Sequence, residues 1–138
     1  MGLSSIRLFR LFGIDVFLHW TWFIAAVFII PAFHMFDSLV YKIGIFVALF
    51  GIVTLHEFGH ALACKSVGGK ANRIMLWPLG GVAFVQPPQR PGAVLWSIVA
   101  GPLVNVVLVP VTLIAYVAVA GSRPRLRVMP RSFWVPWR

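Results

Sequence analysis

"GIVTLHEFGHALA", residues 51–63, sets His56, Glu57 and His60 inside an otherwise apolar run. That run, Ile43 to Cys64, covers 22 residues and is interrupted by ionisable groups only at the motif. Its reading decides the fold, because the same stretch belongs either to a soluble core or to a membrane span. An ionisable group at a helix centre in lipid costs on the order of 3 kcal/mol, so such groups are rarely incidental there. On a helix, positions i and i+4 share a face one turn apart, so His56 and His60 aim their imidazoles at a single ion. Glu57 projects beside them, placed to reach a water on that ion without ligating it. This H-E-x-x-H spacing suits two Zn²⁺ ligands and a general base. Thr54, just before the motif, reads as a residue bonded to its own helix backbone.

Composition points to lipid as the solvent. The chain has 138 residues, 60% of them hydrophobic, and three acids: Asp15, Asp37 and Glu57. Charged residues make up 11%, against about 25% in a soluble domain. Two further apolar runs flank the motif: Val16 to Phe33, 18 residues, and Gly92 to Ala120, 29 residues without a charge. A spanning helix needs roughly 20 apolar residues at about 1.5 Å each, so all three runs qualify, the first marginally. Trp20, Trp22, Trp77 and Trp96 fall near the ends of these runs or between them, where interfacial aromatics gather. Ordinary packing accounts for such aromatics equally well. No secretory leader is read at the N-terminus, and Cys64 is a lone thiol.

A net charge of +9 raises a nucleic-acid reading. Its distribution favours membrane topology instead, and no nucleic-acid partner is expected. Arg7, Arg10, Lys65, Lys70, Arg73 and Arg90 lie on one side of the alternating runs, and Lys42 alone on the other. By the positive-inside rule the N-terminus is cytoplasmic, in a multi-pass protein of the cell inner membrane. His56 and His60 then sit in the last third of the second run, near the cytoplasmic face, within reach of water.

Between the second and third runs comes "VGGKANRIMLWPLGGVAFVQPPQRP". Ile74 to Trp77 and Val82 to Gln86 read as short strands with "PLGG" as their turn, where Gly80 and Gly81 allow positive φ. The expectation is a small apolar hairpin at the membrane face beside the metal, whose edge could pair with an unwound substrate strand. A tight connecting loop is the alternative. In the third run, "AGPLVN" holds Gly101 and Pro102, which permit close approach and a kink. Its Asn105 either offers an amide to a substrate carbonyl or oxyanion, or joins two helices.

Taken together, "HEFGH", the following "PLGGVAFV" and "GPLVN" resemble the site-2 protease family of intramembrane zinc metalloproteases, peptidase family M50. "FGIDVFLHWTW" is similar to the bacterial branch of sporulation-factor and CBS-associated members. The resemblance spans roughly residues 8 to 110. It implies Zn²⁺ as cofactor, His56 and His60 as its ligands, and Glu57 as catalytic base. It further implies a substrate or oxyanion role for Asn105, Gly80 and Gly81. The substrate would be the transmembrane segment of another membrane protein.

The family pattern also includes a third zinc ligand, an Asp in an L-D-G motif on a later helix. No Asp or Glu follows Glu57. His19 is adjacent to Trp20 and reads as interfacial, and His34 lies at the opposite end of the first run, so neither replaces the carboxylate. Arg123, Arg125, Arg127, Arg131 and Arg138 also fall on the wrong side after three crossings. A truncated or frame-shifted chain, departing from the family between Ala120 and Pro124, accounts for both. An inactive member that only binds a membrane partner is the alternative function, and an ion carrier a third.

The expected architecture is thus an all-α polytopic membrane protein in contact with lipid. Its helices fall at about 16–36, 40–64 and 92–120, with a membrane-embedded hairpin at 73–86. Residues 1–120 form a partial protease core, and 121–138 a basic tail foreign to the family.

Overall fold

The computed structural model describes residues 5–34 and 38–121, with side chains to residue 118. Four strands and three helices follow in order: β1 (Ser5–Leu11), β2 (Ile14–His19), α1 (Thr21–Ala32), α2 (Leu39–Ser66), β3 (Lys70–Trp77), β4 (Gly80–Gln86) and α3 (Pro91–Gly121). The strands form one mixed sheet in the order β1-β2-β3-β4, antiparallel except for the central β2–β3 pair.

This overturns the all-α expectation. The hairpin at 73–86 is half of a four-stranded sheet, and the other half comes from the N-terminal segment. Ile14, Val16 and Leu18 are buried while Asp15, Phe17 and His19 between them are only partly so. That period of two is a strand signal. An outward-facing Phe17 conceals it by making the stretch look uniformly apolar. The β1–β2 connection is a two-residue turn closing Leu11 on Ile14, with φ of 50° at Phe12 and 73° at Gly13. Positive φ at both central residues matches the twist of a tight hairpin.

With β2 taking the start of the first apolar run, α1 keeps 12 residues. That is about 18 Å, well short of the ~30 Å hydrocarbon layer. Among the described residues two helices are long and apolar enough to cross a membrane, Leu39–Ser66 and Pro91–Ala118.

The core lies between one face of the sheet and α2. Ile14, Val16, Leu18, Ala71, Ile74 and Leu76 from the strands meet Phe58, Ala61 and Cys64 of the helix. Phe9 of β1 stacks on Phe58, with ring centroids 6.4 Å apart. Higher on α2, Trp22 of α1 packs against Phe46 and Phe50, at centroid distances of 4.8 and 5.0 Å. Gly68, at φ 84°, ends α2: the Gly69 N–H donates to the Cys64 carbonyl and the Gly68 N–H to that of Lys65. This double bond pattern with a left-handed glycine is the Schellman stop, and it turns the chain into β3. Lys65 Nζ donates to the Phe12 carbonyl at 2.7 Å, tying the end of α2 to the β1–β2 turn.

Helix α3 meets α2 through small residues. Ala93, Ser97, Ala100 and Gly101 are its buried positions, spaced along one face. At the crossing, a Cβ on Gly59 would lie 2.7 Å from the Ala100 carbonyl oxygen, so only glycine fits. Close backbone approach through small side chains is how helices associate where both faces are apolar.

The chain divides into two compact units, Met1–Leu108 and Val109–Arg138. The first holds the sheet, α1, α2 and the start of α3. Over its described residues the second is the remainder of α3, with exposed Val111, Leu113, Ile114 and Tyr116. The basic tail expected at 121–138 lies, apart from Gly121, outside the described residues.

Candidate metal centre

His56 and His60 stand one turn apart on α2, and their Nε2 atoms converge to 3.1 Å. Two nitrogens bound at 2.0–2.1 Å to a tetrahedral Zn²⁺ would be about 3.3 Å apart. The rings meet edge to face, at an interplanar angle of 82°, with their Nε2 atoms facing each other across one small space.

The tautomer of His60 is fixed by its neighbour. Its Nδ1 lies 2.7 Å from the Ser97 carbonyl oxygen of α3. A carbonyl can only accept, so the proton sits on Nδ1 and Nε2 carries a free lone pair. Such an outer contact fixes the orientation of a metal-binding imidazole. Ser97 is 2% exposed, and its hydroxyl is satisfied by the Ala93 carbonyl at 2.8 Å. Gly101, one turn on, gives the imidazole its room, since a Cβ there would overlap the His60 ring. His56 Nδ1 is buried without a hydrogen-bond partner among the described residues.

Glu57 is 7% exposed and faces the sheet. Its Oε2 accepts the backbone N–H of Ala83 at 2.8 Å. Strand β4 ends the sheet, so this N–H projects from the free edge rather than into the β3 ladder. Gly81 makes the approach possible, because a Cβ on it would run into the Glu57 side chain. Gly80 plays no such part: at φ 151° its missing Cβ borders open space. Asn105 is exposed, and its side chain makes no hydrogen bond among the described residues.

The structure therefore brings together His56, Glu57, His60 and Gly81, while Gly80 borders open space beside Gly81 and Asn105 is exposed on α3. Sequence reasoning missed Ser97, the Ala83 N–H and Gly59. Ser97, Ala100 and Gly101 at helical spacing in an apolar run were the available signal. Ala83 had none, because its contribution is a backbone atom.

Two imidazoles with converging Nε2 atoms fit a zinc ion, and they supply two of the three protein ligands that catalytic zinc takes. Among the described residues no cluster of three His, Cys, Asp or Glu side chains is found. His19 is engaged elsewhere: it stacks on Trp77 at 4.4 Å and its Nδ1 lies 2.7 Å from Thr21 Oγ1. His34 is exposed beyond the end of α1.

The model of Peptidase family M50 matches residues 44–132, which span α2, β3, β4 and α3. The chain belongs to peptidase family M50. Within it, the chain is 40% identical over 110 residues to a zinc metalloprotease of Methanocaldococcus jannaschii, covering 80% of this chain. A solved structure, the site-2 protease from the same organism, superposes with a TM-score of 0.66 at 39% identity, again over 80% of this chain. The chain spans about a third of the length of the first relative, 32%, and 50% of the second. The M50 match takes in the whole HEFGH motif and both elements that hold it, the β4 edge and the α3 face.

Proposed function

We propose that this chain carries the catalytic part of an intramembrane zinc metalloprotease, which hydrolyses peptide bonds in transmembrane segments of other membrane proteins. The observation that carries the reading is the convergence of His56 and His60 Nε2 to 3.1 Å on a 28-residue apolar helix, with Glu57 held beside them. At about 1.5 Å per residue, that helix is long enough to cross a bilayer. A zinc ion held by His56 and His60 would polarise the scissile carbonyl and lower the pKa of its bound water toward neutrality.

The rest is the work of the chain's own groups. Glu57 takes a proton from the attacking water on its carboxylate and returns it to the leaving amine. Between these steps its orientation is set by the Ala83 N–H. The free edge of β4 offers backbone groups to an unwound segment whose own hydrogen bonds have been lost, which matters most where water is scarce. The position of the basic residues supports a multi-pass placement in the cytoplasmic membrane with the N-terminus inside. The third ligand implied by the family resemblance is an aspartate, and none follows Glu57 in this sequence.

The test is cleavage of a single-span model substrate co-reconstituted in lipid vesicles, with products sized by mass spectrometry. Wild type should cut within the apolar segment, and Glu57→Gln should reduce the rate by about 10²-fold or more while zinc content stays constant. Cleavage confined to soluble loops would overturn the intramembrane reading. Absence of cleavage together with stable capture of the substrate would favour the partner-binding alternative.

A further inference from the structure

The face of the sheet turned away from α2 is the most strongly charged surface of the described chain. The registers Arg10↔Asp15, Asp15↔Arg73 and Arg7↔Phe17 put Arg7, Arg10, Asp15 and Arg73 on it, opposite buried Val16 and Ile74. Lys70, paired with Gln86, extends the row at the sheet's end. Asp15, the one acid there, is shared by Arg7 and Arg10, at 3.5 and 3.9 Å. Lys70 and Arg73 form no ion pair among the described residues.

Those two cations border a cleft of about 140 Å³ lined by Lys70, Asn72, Arg73, Phe84 and Gln86. Every polar side chain in that lining brings N–H donors, and none is acidic. Arg73 is positioned in advance by its guanidinium, which stacks over the Phe17 ring at 4.9 Å. A planar guanidinium, an ammonium and two amides make a donor set suited to phosphate oxygens.

Its place in the fold says which phosphate. Lys70 follows the end of α2 by four residues and Gln86 precedes α3 by five, so the cleft sits where both long apolar helices end. With those helices in a bilayer, that level is the headgroup layer. On the same face Phe84 in the cleft wall and Val82 beyond it are about half exposed, at 54% and 49%, as suits a surface lying against lipid rather than bulk water.

We propose that the Lys70/Arg73 cleft binds the phosphate of an anionic phospholipid headgroup and so seats the outer face of the sheet on the membrane surface. This rests on the membrane placement of α2 and α3 and not on peptide hydrolysis, so it stands or falls separately from the protease reading. Headgroup attraction worth about 1 kcal/mol per cation predicts a loss of about 30-fold in affinity when both are removed.

The experiment is native mass spectrometry of the chain released from nanodiscs containing phosphatidylglycerol and phosphatidylcholine, with affinities from lipid titration. Phosphatidylglycerol should be retained preferentially. Lys70→Ala with Arg73→Ala should lower its affinity about 30-fold, whereas Lys70→Arg with Arg73→Lys and the distant Lys42→Ala should not. The charge-conserving pair guards against a simple folding defect. Unchanged affinity in the double alanine variant would overturn the proposal and leave these cations to some other acidic surface, such as a protein. Displacement of the lipid by equimolar inorganic phosphate would also overturn it, by marking a free-phosphate site.

Discussion

Ala83 donates its backbone N–H to Glu57 Oε2 at 2.8 Å, so the free edge of β4 and the motif carboxylate are held one hydrogen bond apart. Any extended strand added to that edge would arrive beside the Glu57 carboxylate. The geometry depends on Gly81, whose missing side chain leaves Glu57 its space.

Gly81→Val is therefore expected to displace Glu57 and to push β4 away from α2. Overpacking of this kind costs about 1–3 kcal/mol, and the catalytic loss should exceed the stability loss. Thermal unfolding in detergent, read beside substrate cleavage, checks this. Equal cleavage by wild type and variant would remove Gly81 from the site.

Gly101→Ala addresses the other side. A methyl there meets the His60 ring and should break its contact with the Ser97 carbonyl. Loss of an orienting partner typically weakens metal binding by about 10- to 100-fold. Zinc affinity measured by competition with a fluorescent chelator should fall within that range. Gly51→Ala, which borders open space earlier on α2, should leave zinc affinity unchanged.

Removal of the metal should destabilise the wild type and spare the variant that cannot bind it. A ligand at a hundredfold excess over its Kd stabilises by about 2.7 kcal/mol. Chelation should thus lower the unfolding temperature of the wild type but not of the His56→Ala, His60→Ala double variant. A chelator effect of equal size in both would place the bound metal elsewhere.

Gly13→Val probes the turn that the first strand pair requires. At φ 73° a side chain costs about 1–2 kcal/mol, and the β-branched residue also crowds Lys65 Nζ. Lower thermal stability with unaltered zinc affinity is expected, because the turn is joined to the end of α2 and not to the histidines. A fall in zinc affinity equal to that of Gly101→Ala would contradict this.

What was legible in the sequence was whatever a period or a spacing encodes. The i, i+4 histidines and the adjacent glutamate could be placed because a helix fixes their geometry wherever it runs. The long apolar runs behind α2 and α3 stand out by composition alone. The sheet was hidden for a physical reason. Ile14, Val16 and Leu18 alternate with Asp15, Phe17 and His19, but an apolar Phe17 and a following apolar helix blur the alternation into one run. The β2–β3 pairing joins Asp15 to Arg73 and Leu18 to Leu76, a separation no local pattern reveals. Backbone contributions were equally invisible: neither the Ser97 carbonyl nor the Ala83 N–H is written in a side chain.

That parallel pairing has a consequence for how the molecule is made. Between β2 and β3 the chain runs through α1 and α2, and Asp15 can meet Arg73 only after both have been laid down. Contacts so distant in sequence form late, since the intervening segment must be closed first. β1 and β2 can therefore pair with each other as a hairpin long before β3 exists, and the sheet closes only once α1 and α2 have been made. The strand that completes the sheet, β4, is also the one that carries the Ala83 N–H to Glu57. The two ends of the site are thus joined by a contact that the order of synthesis makes one of the later ones to form.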